Sequence, residues 1–233
     1  SLHDALPIYA REVIYKGAWR GSDAIRSWSW AGCAGVEAHV EVYVGGPASS
    51  VLLVLNGRAM GKRRVWDCCA RFEVPYEPGE LCAIAYDDAE REVGRDVLTS
   101  AGKDLHIGLR REETAGESPI PCEAEPNGRA ERPACVAFVE VVLEDAAGEV
   151  EANRDALLAA EVSGGELLAF ASGNPAPKEA FAGCRCRTFY GRALAVVRPN
   201  GEGPCTLVVR EEACEEVGEQ TREGLAEARL RIV

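Results

Sequence analysis

The chain has 233 residues, room for two domains of about 100 to 130 residues each. Hydrophobic residues make up 47% of it, which argues against wholesale disorder, and the net charge of −12 argues against a nucleic-acid partner, because an acidic surface repels phosphate backbones. The acidity is uneven: residues 1–104 carry 12 Lys+Arg against 15 Asp+Glu, and residues 105–233 carry 14 against 23. Gly (24) and Pro (12) are plentiful and Met occurs once, a profile that suits short strands joined by turns better than long helices.

In chain order, residues 1–8 have neither the charged start nor the long apolar run of a signal peptide. "YAREVIYKGAWR" (9–20) has the spacing of a short helix ended by Gly17. From Glu37 the period becomes two: "EAHVEVYV" puts Val40, Val42 and Val44 on one face, and His39, Glu41 and Tyr43 on the other. "VLLVLNG" reads as a buried strand closed by the tight-turn pair Asn56–Gly57. "RAMGKRRV", "ARFEVPY", "LCAIAYD" and "EVGRDVL" complete a first β-run, which predicts a sandwich. "TSAGKD" (99–104) reads as a linker. A second β-run follows: "LHIGLR", "CVAFVEVVLED", "LLAAEVSGGELLAFAS", a hairpin-like pair in "RTFYGRALAVVR" around Gly191–Arg192, "CTLVVR" and "LAEARLRIV". The Glu/Pro/Gly-rich stretch at about 111–134 is expected to be an exposed loop.

The search for chemistry is mostly negative. No nucleophile-elbow G-x-S-x-G occurs. "GRAMGK" is one residue short of a phosphate loop, with no Ser or Thr after Lys62, and "KRR" (62–64) reads as a solvated turn. The three His (3, 39, 106) have no ligand-like spacing. "DDAERE" (87–92) offers oxygens to Ca²⁺ but lacks the glycine of an EF-type loop, so a solvated hairpin tip is the better reading. The ten cysteines (33, 68, 69, 82, 122, 135, 184, 186, 205, 214) contain no C-x-x-C. They read as reduced thiols in or beside the core, with a disulfide as the alternative and a metal site least favoured. No metal or cofactor is expected, and no apolar run approaches the ~18 residues of a membrane-spanning helix. The remaining candidates are Trp28 and Trp30 in "WSW". Extended backbone puts both on one side, either as a platform for sugar C–H groups or as packing at a domain junction.

Taken together, Trp28, Trp30 and Gly32; Val40 to Val44; "VLLVLNGRAMG"; "FEVPYEPGELCAIAY"; and Val93, Gly94 and Asp96 resemble the region after the catalytic barrel in bacterial β-galactosidase-like enzymes of glycoside hydrolase family 2. "AFVEVVLEDAAGEV", "VSGGELLAFASGNP" and "FYGRALAVVR" resemble the last immunoglobulin-like domain of the same enzymes. Departures fall in loops: Val44–Gly45–Gly46 replaces the usual Ser-Asn, Ser172–Gly173–Asn174–Pro175 departs from the usual Gly-rich turn, and 111–134 is longer than usual.

The resemblance implies an all-β chain of two tandem immunoglobulin-like sandwiches, at 26–102 and 103–233. Residues 1–25 would then be a leader and the remnant of the last barrel helix. It implies a retaining β-glycosidase as the parent, with its two catalytic Glu on a barrel outside this chain, so no catalytic residue carries over. The expected partners are that barrel and, through the parent, a β-galactoside or related saccharide; neither nucleic acid nor membrane is expected, oligomer contacts are compatible, and a cytoplasmic setting is slightly favoured. A junction role for Trp28 and Trp30 implies exposed apolar surface at both and at Trp19. The alternatives are a free-standing carbohydrate-binding protein and an adhesion-type tandem of sandwiches.

Overall fold

The computed structural model describes residues 24–112, 136–201, 203–212 and 224–232. All its regular elements are strands, as the sequence predicts. The predicted helix at 9–20 and most of the predicted loop at 111–134 lie outside the described residues, as does Trp19. The chain forms two compact units. One holds residues through Ala101 together with Glu149–Asn153; the other holds Gly102–Gly148 and the residues from Arg154 onward.

Among the described residues, the first unit has six strands: β1 (Glu37–Tyr43), β2 (Ser50–Leu55), β3 (Arg58–Arg64), β4 (Cys69–Pro75), β5 (Glu80–Tyr86) and β6 (Glu92–Thr99). β1 and β4 pair antiparallel as a two-stranded sheet, and the others form a sheet in the order β3-β2-β5-β6. Alternation decides what is inside. Val40, Val42, Phe72 and Val74 of the small sheet are buried, as are Val51, Leu53 and Leu55 of the large one. Each such side chain contributes about 1.5–3 kcal/mol by leaving water. The β2–β3 turn has Asn56 at φ 49° and Gly57 at φ 76°, the left-handed pair that matches strand twist. Asn56 also accepts a hydrogen bond from the Glu80 amide (2.8 Å) and donates to the Pro78 carbonyl (3.1 Å). A Cβ on Gly79 would lie 2.0 Å from Asn56 Oδ1, so only glycine fits there. Register shifts occur in the β2–β3 and β5–β6 pairs. The second leaves Val93 as the extra residue of a bulge, and its side chain is exposed.

The described residues of the second unit form eight strands: β7 (His106–Arg111), β8 (Ala137–Glu144), β9 (Leu157–Ser163), β10 (Gly165–Ala171), β11 (Arg185–Arg187), β12 (Arg192–Pro199), β13 (Cys205–Glu211) and β14 (Ala228–Ile232). They make two four-stranded sheets, β10-β12-β8-β7 and β11-β9-β13-β14. The core between them draws Val139, Val141 and Leu143 from β8, Ala195 and Val197 from β12, Leu158 from β9, and Leu207 and Val209 from β13. One segment divides between sheets, and one local expectation needs correction. "LLAAEVSGGELLAFAS" is two strands in different sheets, switching at Gly164 (φ 71°), where a Cβ would meet the Pro204 carbonyl at 2.3 Å. The hairpin-like pair around Gly191–Arg192 is absent: β11 pairs with β9 and β12 with β8. Only the Phe189–Arg192 bridge, around the left-handed residues Tyr190 and Gly191, closes that turn; beyond it the chain passes from one sheet to the other.

Candidate functional site

The first unit contains a buried polar cluster around the "WSW" segment. Trp28 and Trp30 are 1% and 3% exposed. Trp28 meets the Tyr76 ring edge-on with centroids 5.0 Å apart, and its Nε1–H donates to the Glu77 carbonyl at 3.1 Å. The Trp30 amide donates to the Tyr76 hydroxyl at 3.0 Å. Ser100 Oγ donates to the Trp28 carbonyl and accepts from the Gly79 amide at 3.1 Å. Burial pushes the Tyr76 phenol above its ordinary value, so it remains a neutral donor and acceptor at neutral pH.

Between the two Trp lies Ser29, 1% exposed. Its Oγ donates to Glu151 Oε2 at 2.7 Å and accepts from the Ala101 amide at 2.9 Å. Glu151 is 3% exposed, and its Oε1 accepts from the amides of Ala31 (2.9 Å) and Asn153 (2.8 Å). The Ala152 amide donates to the Ser29 carbonyl (3.1 Å), and Asn153 Nδ2 to the Ala31 carbonyl (2.8 Å). The segment 149–153 therefore closes the first unit, although it follows β8 in sequence. A carboxylate with both oxygens committed to internal donors is a fastener; an acid or base needs an oxygen turned toward a substrate. Sequence reasoning missed Ser29 and Glu151, because neither their residue types nor their spacing marks them.

The structure does not support Trp28 and Trp30 as a sugar platform: with both indoles buried, neither face is open to a pyranose. The exposed apolar surface expected of a junction is likewise absent at these two positions. They hold the leading segment on the β4–β5 turn. The other chemical candidates are also in structural use. Lys62 pairs with Glu90 and lies 4.4 Å from the Tyr86 ring centroid, and Lys62–Arg64 sit on β3, not in a turn. Asp87 accepts from the Ala89 and Arg91 amides (both 2.9 Å) and from Arg91 Nε (2.8 Å). These bonds, those from Arg91 first, hold its carboxyl below the ordinary carboxylate range. Glu144 is engaged by Arg110. His39 lies 3.8 Å from both Glu37 and Glu73, and His106 lies 3.8 Å from Glu144.

Among the described residues no cluster has the makings of a metal site, and no helix is long and apolar enough to cross a membrane. The seven described cysteines are free thiols, with Cys68 and Cys184 exposed and the other five buried. Burial raises the thiol pKa of Cys69, Cys82 and Cys205, and pushes Cys186 up to about 11, so these four are poor nucleophiles at neutral pH.

Comparison with known proteins fits this architecture. Residues 122–218 match the family model of glycoside hydrolase family 2 C-terminal domain 5, and residues 37–94 match a domain of unknown function (DUF4982). The chain is 26% identical over 226 residues to the β-galactosidase BoGH2A of Bacteroides ovatus; the match takes in 94% of this chain and 23% of that protein. A glycosyl hydrolase family 2 member from Bacteroides cellulosilyticus superposes with TM-score 0.73 at 24% identity, covering 100% of this chain and 28% of that one. A β-glycosidase from Bacteroides vulgatus gives 0.64 at 22%, covering 89% and 24%. The structural likenesses speak for the fold, the sequence matches speak for the family, and each spans only about a quarter of the relative's length. Residues 122–218 thus carry a glycoside hydrolase family 2 C-terminal domain, and the chain as a whole is similar to a part of family 2 enzymes.

Proposed function

We propose that this chain is the non-catalytic C-terminal part of a longer β-galactosidase-like enzyme, and that it buttresses a catalytic barrel carried elsewhere in the same polypeptide. The observation that carries the reading is the match to the Bacteroides ovatus β-galactosidase, which takes in nearly all of this chain but under a quarter of that protein. Internal chemistry agrees with a supporting role. The three buried carboxylates among the described residues, Asp87, Glu144 and Glu151, are each held by donors of their own unit. Trp28 and Trp30 act in this reading as positioning residues that fix the segment leading into the first sandwich. The substrate of the whole enzyme is a β-galactoside or a related β-glycoside.

The test is to extend the coding sequence upstream of Ser1 and to assay both the chain and its extended form on chromogenic β-glycosides. The expected result is a βα-barrel upstream, hydrolysis by the extended protein and none by the chain alone. Turnover by the chain alone, or an upstream stop codon, would overturn the reading.

A further inference from the structure

One feature of the first unit plays no part in its packing. Trp66 is 81% exposed, on the turn that joins β3 to β4. Trp66 and Cys69 exchange backbone hydrogen bonds of 2.9 and 3.0 Å, and between them Asp67 (φ 50°) and Cys68 (φ 58°) both adopt the left-handed conformation. The β2–β3 turn of the same unit meets a similar need with Asn56–Gly57. Strain kept where glycine would relieve it, in a turn that projects an indole into solvent, points to a use for the indole.

The charges beside it are unspent. The described part of this unit has eight basic side chains, and Arg26, Arg58, Lys62, Arg71, Arg91 and Arg95 pair with carboxylates. The remaining two are Arg63 and Arg64, which directly precede the turn and make no ion pair among the described residues. Basic side chains on an edge strand also deter strand-to-strand association, but that leaves Trp66 without a role. The Val65 amide still bonds the Ser49 carbonyl at 2.9 Å, so the extended repeat continues and puts Arg64 and Trp66 on the same side.

We propose that the Trp66 turn is a saccharide contact, with the indole face against the C–H face of a pyranose and the Arg64 guanidinium donating to its hydroxyl or carboxylate oxygens. The negative face of an indole attracts polarised C–H groups, and a turn already fixed by its own hydrogen bonds loses little freedom on binding. A protein-docking surface would have a contiguous apolar centre; between residues 58 and 75 Trp66 is the single exposed large apolar side chain. The choice of a sugar as ligand rests on the family assignment, while the test reads binding and not hydrolysis, so its failure leaves the proposed function standing.

The experiment is a titration of the chain with lactose and, separately, with a glucuronic-acid-containing disaccharide, followed by NMR of the indole N–H signals. The Trp66 signal is identified by its loss in Trp66→Ala. The expected result is a saturable shift of that signal, with the Trp28 and Trp30 signals unmoved as internal controls, and weaker binding in Arg64→Ala. The two sugars separate hydroxyl from carboxylate recognition. Trp66→Ala should melt with the wild type, since the side chain buries almost nothing. No saturable shift with either sugar overturns the proposal. So does a Trp66 shift that follows protein concentration without sugar, which would instead indicate contact between copies of the chain.

Discussion

The two units solve the same packing problem by different means. The second closes four strands over four, and its core is a run of Val, Leu and Ala with residues such as Val139, Leu158 and Leu207 fully buried. Among its described residues the first sets two strands, β1 and β4, against four. It is completed by non-strand chain: the Trp28–Cys33 segment, and Glu149–Asn153 returning after β8. Where strands complete a sandwich, apolar alternation is enough. Where loops complete it, backbone amides must find partners, and Ser29, Tyr76, Ser100 and Glu151 supply them.

The difference yields a ranked set of substitutions. Trp28→Ala is expected to cost the most, about 4 kcal/mol of first-unit stability, because it empties a buried aromatic site and removes the partner of the Glu77 carbonyl. Glu151→Ala follows at about 3 kcal/mol, since the buried Ser29 Oγ and the part-buried amides of Ala31 and Asn153 lose their acceptor. Chemical denaturation followed by fluorescence and by amide exchange will show whether each loss falls on β1–β6. In the second unit the sharpest comparison is Leu158→Ala, an apolar truncation of about 3 kcal/mol that should fall on β7–β14. Cys68→Gly reverses the sign: it relieves a left-handed residue and should stabilise by about 1 kcal/mol, raising the midpoint of the first unit.

The smallest effect is Asp87→Asn, and it depends on pH. The folded carboxyl titrates below its ordinary range. Its contribution is therefore present above the unfolded pKa and disappears as pH falls through the folded one. The melting-temperature gap between wild type and variant should be open at pH 7 and close in strong acid. A thiol reagent gives a further check at neutral pH, reaching Cys68 and Cys184 before the five buried thiols.

Much of this was legible in advance. Strict alternation in "EAHVEVY" and "ARFEVP" marked β1 and β4 with their buried faces, and Asn56–Gly57 marked its turn. Sheet membership was less legible, because the switches at Gly164 and at Tyr190–Gly191 are decided by which strand lies alongside. The buried cluster was hidden for a plainer reason. Ser29 and Glu151 stand 122 positions apart, and a Glu that accepts three hydrogen bonds in the interior is, in sequence, indistinguishable from the many Glu that face water.

The most direct test of this account is native-state hydrogen exchange on Glu151→Ala. If a carboxylate from the far side of β8 fastens the first unit, protection in β1–β6 will fall sharply while β7–β14 keep theirs. Equal loss in both units, or none in β1–β6, would contradict it.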